Sequence, residues 1–169
     1  MRKYIESLFP ELNEIKETSI REGVVKVWFL AMERGGWKMI DDIPFTILIP
    51  TKISLIEHIR KVTQMAIGVA RARDDLNVDF LIAGGLIHDV GKLLEYEKKK
   101  GKIVKSKFGK FVRHPISGYA LALEAGLPWE VAHIVLAHSE DVMKISRIKE
   151  ATVIYHCDFI EFEIEKERI

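Results

Sequence analysis

The chain has one cysteine, Cys157, so no disulfide can close within it and no thiolate cluster can gather around a metal. The expected compartment is the cytoplasm. Long apolar runs are equally scarce: nothing approaches the roughly 18 uncharged residues that a bilayer-spanning helix needs. Arg2, Lys3, Glu6 and Glu11 occupy the region where a signal peptide would carry its apolar core. No membrane partner is expected. Net charge is nearly absent at +1. Internal repeats, low-complexity linkers and a glycine-rich phosphate loop are also missing, and Gly84-Gly85 fits no nucleotide fingerprint.

What remains is an ordinary globular composition, 48% apolar and 30% charged over 169 residues, enough to bury one core without covalent help. The near-zero charge conceals an asymmetry. Between Lys92 and Arg113 nine lysines and arginines stand against only Glu95 and Glu97. Such a segment can draw anionic substrates toward a neighbouring site or can be a solvated loop. Its lysines are interleaved with few aromatics, Tyr96, Phe108 and Phe111, and the chain is close to neutral, so nucleic acid is not an expected partner.

Apolar residues recur every three or four positions, with glycine and proline as stops, which predicts an all-α, single-domain helical bundle. A short helix is expected to end at Pro10, and a second to run from Pro10 or Leu12 to Arg34, before Gly35-Gly36. Residues 37–50 look irregular, with Ile47-Leu48-Ile49 too short to assign. Residues 1–50 are read as a helical extension packed on the core, able to cover the site or to make homodimer contacts, and 51–169 as the functional domain. In the next helix His58 shares the apolar stripe of Leu55, Val62 and Val69. Asn77 or Asp79 then caps a helix carrying Leu81, Gly85 and His88, closed by Gly91. A small hairpin is expected near 103–112. His114 precedes Pro115 at a helix start, Pro128 opens the helix leading to His138, and a last helix, about Ser146 to Glu167, places Asp158 on a stripe with Ala151, Ile154, Tyr155 and Phe162.

Six metal-ligand side chains, His58, His88, Asp89, His114, His138 and Asp158, are thus spread over several helices, and they argue for a two-metal hydrolytic site. A carboxylate can bridge two ions where a histidine cannot, which makes Asp89 the natural bridge. Any one histidine alone is more often a hydrogen-bonded core residue. An ionised aspartate on an apolar stripe is different, because its burial demands a cation or a proton, and no lysine or arginine lies one turn from Asp158 on that face. His133 and His156 project away from the ligand stripes and read as structural or exposed. Glu140 and Asp141 can orient His138 from behind or be a solvated pair. Tyr96, Trp129 and Met143 read as packing residues.

This ordered set, with His88-Asp89-Val90-Gly91-Lys92 and His114-Pro115 followed by Gly118, resembles the HD-domain superfamily of metal-dependent phosphohydrolases over Leu55 to Phe162. Single-metal members use one histidine, the His-Asp pair and a late aspartate, matching His58, His88, Asp89 and Asp158. The two extra histidines imply the dinuclear subgroup: Asp89 bridges, His58, His88 and Asp158 complete one metal, and His114 and His138 complete the other. The resemblance implies one or two divalent transition ions, with manganese, iron, cobalt, nickel and zinc all suiting these donors. The implied activity is hydrolysis of a phosphate ester of a nucleotide or related small metabolite by a metal-activated bridging water. Asp89 and Lys92 would be catalytic, and Lys92 and Arg113 would hold the phosphate. The subgroup that cleaves cyclic di-GMP carries a Gly-Tyr-Pro element after His-His-Glu, whereas this chain has His138-Ser139-Glu140 and then Asp141-Val142-Met143, so that substrate is not expected. Two other activities share the ligand order: a mixed-valent di-iron oxygenase, and a regulatory module that binds metal and nucleotide without turnover.

Overall fold

The computed structural model describes residues 1–140 and 145–168. Its elements are mainly helical: α1 (Arg2–Leu8), α2 (Thr18–Gly35), α3 (Leu55–Arg71), α4 (Val78–Ile87), the one-turn α5 (Lys92–Glu95), α6 (His114–Glu124), α7 (Trp129–Ala137) and α8 (Lys149–Glu167). Between α5 and α6 lies a two-stranded hairpin, β1 (Tyr96–Lys99) and β2 (Lys102–Lys105). No helix is long and apolar enough to cross a membrane among the described residues.

The organising element is α4. Every residue from Leu81 to Ile87 is buried, as befits a helix apolar all round, and α2, α3, α7 and α8 surround it. Close approach of α7 depends on Gly84, where a Cβ would lie 2.5 Å from Cγ2 of Ile134. Residues of the N-terminal 50 share the same hydrophobic core as the later helices: Phe9 and Trp28 pack with Leu86, and Trp28 Nε1 donates to Leu86 O at 3.1 Å. A capping box starts α3, with Glu57 N–H donating to Ser54 Oγ (3.2 Å) and Ser54 N–H to Glu57 Oε2 (2.9 Å). We expect Ser54→Ala to cost about 1 kcal/mol, measured as a lower midpoint in urea with an unchanged slope.

Five local expectations need correction. The chain from Pro10 to Gly35 is not one helix: Pro10–Glu14 is a 3₁₀ turn and α2 begins only at Thr18. The break is set from far away, because the backbone N–H groups of Lys16 and Glu17 donate to the Asp79 carboxylate at 3.1 and 2.7 Å. Asp79 is therefore spent on that tie, and Asn77 alone caps α4, accepting from Phe80 N. The helix ends at Ile87 with His88 as its cap, and Gly91, at φ −62°, opens α5 instead of closing α4. The hairpin lies earlier than 103–112: β2 pairs with Tyr96–Lys99 through a turn in which Lys100 and Gly101 both have positive φ, while Phe108–Lys110 forms a 3₁₀ turn. The last helix begins at Lys149, not Ser146. Trp129, expected to pack, is 60% exposed.

Candidate metal centre

Helix ends and helix faces bring the six residues together. His58 and Asp158 come from the interiors of α3 and α8, His88 and His138 are the residues that terminate α4 and α7, Asp89 follows His88, and His114 is the first residue of α6. All but Asp158, whose side chain is 20% exposed, are buried. Two donor sets form, each within 4.8 Å: His58, His88 and Asp158, and Asp89, His114 and His138.

The Asp89 carboxylate joins them, one oxygen to each. Its Oδ2 lies 3.5 Å from His58 Nε2 and 3.7 Å from His88 Nε2; its Oδ1 lies 3.1 Å from His114 Nε2 and 3.6 Å from His138 Nε2. Asp158 Oδ1 is 3.0 Å from His58 Nε2 and 4.0 Å from His88 Nε2. The two histidine pairs have Nε2 atoms 3.4 Å (His58, His88) and 3.2 Å (His114, His138) apart. Donors about 2.0–2.2 Å from a common ion are separated by roughly 3.0–3.5 Å, so most of these spacings already suit a shared cation.

Tautomers point the same way. His88 Nδ1 faces Gly85 O at 2.7 Å and His138 Nδ1 faces Val135 O at 2.6 Å. A carbonyl can only accept, so both Nδ1 atoms carry a hydrogen, and in that tautomer the Nε2 lone pair points inward. Burial pushes His88 down to about 4, which keeps it neutral at ordinary pH. The lone pairs of His88 and His138 repel the carboxylates they converge on, and a cation relieves that repulsion. The donor set therefore fits a divalent metal. Burial alone would raise the Asp158 carboxyl, but the hydrogen bond from His58 brings it down to about 2. Asp89 behaves likewise: burial opposes its ionisation, and the Lys92 ammonium beside its Oδ2 holds it well below the usual carboxylate range.

Residues 55–162, well over half of the chain, match the sequence model of the HD domain. The chain belongs to the HD-domain family. Neither curated proteins nor solved structures gave a match. HD domains form a superfamily of metal-dependent hydrolases that bind divalent metals, and the buried histidines and aspartates of this HD domain could hold one.

A cleft of about 240 Å³ opens over the donors of this HD domain. Its lining includes the polar side chains of Lys92, Glu95, Tyr96, Lys105 and Arg113 and the apolar ones of Phe45, Ile47, Leu48, Phe159 and Phe162. Lys92 is only 8% exposed, and its Nζ donates to Asp89 Oδ2 and to Phe45 O, each at 2.5 Å. Burial would lower its pKa, yet Asp89 holds it above the usual lysine value, so it stays an ammonium. Phe45 stacks on His58 with ring centroids 4.6 Å apart. The outer lysines of the basic segment, such as Lys98, Lys99 and Lys107, are exposed.

Several expected residues sit elsewhere. His156 is exposed and half-buried His133 packs against Trp129, both on faces apart from the donors. Glu140 accepts from Tyr155 OH at 2.8 Å, and the back of His138 is already taken by Val135 O. Asp141 and Met143 lie outside the described residues. Glu95 went unnoticed in the sequence, as did Lys105 and the wall built by Phe45, Ile47 and Leu48. The one available signal for Glu95 was an acidic residue inside a lysine-rich run.

Proposed function

We propose that this chain is a metal-dependent phosphohydrolase cleaving a phosphate ester of a nucleotide or a related small metabolite, with His58, His88, Asp89, His114, His138 and Asp158 as ligands. The observation that carries the reading is Asp89: one carboxylate turns its two oxygens to two separate donor sets in a cleft lined by cationic and aromatic side chains. Divalent ions held there would supply an acidified water and neutralise charge on the phosphoryl oxygens.

The chain's own groups supply the rest. Lys92 has three N–H donors, and two are engaged by Asp89 and Phe45, which leaves the third for a phosphoryl oxygen in the cleft that it lines. Arg113 and Lys105 both lie near Oε1 of Glu95, at 3.8 and 3.2 Å, so they add positive potential at the rim. Phe45 and Phe162, with centroids 6.2 Å apart, together with Ile47 and Leu48 offer a surface for a flat organic group such as a nucleobase.

The test is phosphate release from a panel of nucleotides and simple phosphate esters, using metal-stripped protein reloaded separately with manganese, cobalt, iron or magnesium. Turnover is expected with at least one metal and none in the stripped protein. Absence of release with every metal would overturn the hydrolase reading in favour of an oxygen-dependent di-iron enzyme or a nucleotide sensor, which oxygen uptake or binding without turnover would then separate.

A further inference from the structure

The two donor sets are unequal. Counting the bridge, the side with His58, His88, Asp158 and Asp89 Oδ2 has four protein donors and two carboxylates, whereas the side with His114, His138 and Asp89 Oδ1 has three donors and one carboxylate. The weaker side has a reinforcement behind it. Among the four histidines, His88 and His138 donate Nδ1–H to neutral carbonyls, and His58 Nδ1 is buried with no hydrogen-bond partner among the described residues. Among the described residues, His114 alone has a carboxylate at its back.

That carboxylate is Glu95, 4% exposed at the end of α5. Its Oε2 accepts from His114 Nδ1–H at 3.0 Å and from the His114 backbone N–H at 2.8 Å, so a single oxygen fixes both the ring and the start of α6. Its Oε1 faces Lys105 and Arg113. Its backbone is clamped: Ser106 N–H donates to Glu95 O at 2.8 Å, and a Cβ on Gly109 would come within 2.3 Å of that same oxygen. A carboxylate behind a ligating histidine fixes its tautomer and raises the basicity of the ligating nitrogen.

We propose that Glu95 is the positioning residue that enables the three-donor side, His114, His138 and Asp89, to hold a divalent cation. The inference rests on the metallohydrolase reading and goes beyond it, because it makes one position depend on a residue that touches no ion.

The experiment is titration of metal-free protein with manganese, followed by electron paramagnetic resonance, which reads binding independently of turnover. Wild type is expected to take up two equivalents; uptake of none would overturn the metal-site reading itself. Glu95→Gln keeps the size and an acceptor but removes the charge, and is expected to weaken one equivalent by about 10- to 100-fold while leaving the other unchanged. Glu95→Asp, which keeps the charge at shorter reach, is expected to lose less than Glu95→Gln. The position is assigned by combination: in an Asp158→Asn background, with its first side weakened, Glu95→Gln should weaken the equivalent that remains, whereas in a His138→Asn background it should add little. Two equivalents of unchanged affinity in both Glu95 variants, or equal added losses in the two backgrounds, would overturn the role of Glu95 and leave the metal-site reading standing. Circular dichroism on each variant separates loss of fold from loss of ligand.

Discussion

Replacing Asp89 by alanine is expected to abolish uptake of both ions and to lower turnover by more than about a thousandfold, the scale seen when a central catalytic group is removed. Each oxygen of this carboxylate faces a different donor set, so no other side chain can take over both contacts. The loss should extend to the apoprotein. Lys92 is buried against Asp89 Oδ2 and would be left as an uncompensated ammonium, held only by Phe45 O, which costs about 3–5 kcal/mol for a buried pair broken on one side. Adding Lys92→Met to Asp89→Ala should restore much of that stability without restoring metal. Urea unfolding in a chelator, paired with metal analysis, reads both quantities. If Asp89→Ala alone binds two ions, the bridging assignment falls.

The second large effect is expected from one methyl group at Gly91. An alanine Cβ there would sit 2.1 Å from His114 O, 2.6 Å from Ser117 Oγ and 2.9 Å from Gly118 N. Two of these are backbone atoms of α6 that cannot rotate away, so α5 and α6 must separate and carry His114 from Asp89 Oδ1. Gly91→Ala should cost about 1–3 kcal/mol or more and weaken uptake on the His114 side. Gly68 makes the matching control. It lies within α3 with nothing within 4 Å of its Cβ position, and alanine there should be neutral or stabilising by about 0.5–1 kcal/mol. Equal behaviour of the two variants in thermal unfolding would remove the steric argument.

The helical bundle was legible because its main signals are local. His58 lies on an apolar face of α3, and the Ser54 capping box marks where that helix starts. Asp158 stood out because a carboxylate among apolar residues needs a partner, and the structure supplies His58. What escaped depends on contacts distant in sequence. Nothing near Lys16 announces that Asp79 will take its N–H, so the gap before α2 read as continuous helix. Glu95 looked like one more charge in a solvated loop, because its partner His114 is 19 residues away and the hairpin register that places Lys105 beside it is carried by weakly patterned lysines. Phe45 lies in an irregular stretch, held in place by Phe45 N donating to Ile53 O and by Lys92 reaching its carbonyl, and neither contact leaves a period in the sequence.

His88 and His138 each cap the helix that delivers them, through a ring bond to a carbonyl three residues back. Their imidazoles are frozen by the same event that ends α4 and α7, so the entropy of arranging them is lost during folding and not during ion capture. In small zinc modules the ligands become ordered only when the ion arrives, and removing it unfolds the chain. Here one histidine of each donor set is held in place before any ion arrives, so removing a bound ion should leave the bundle folded.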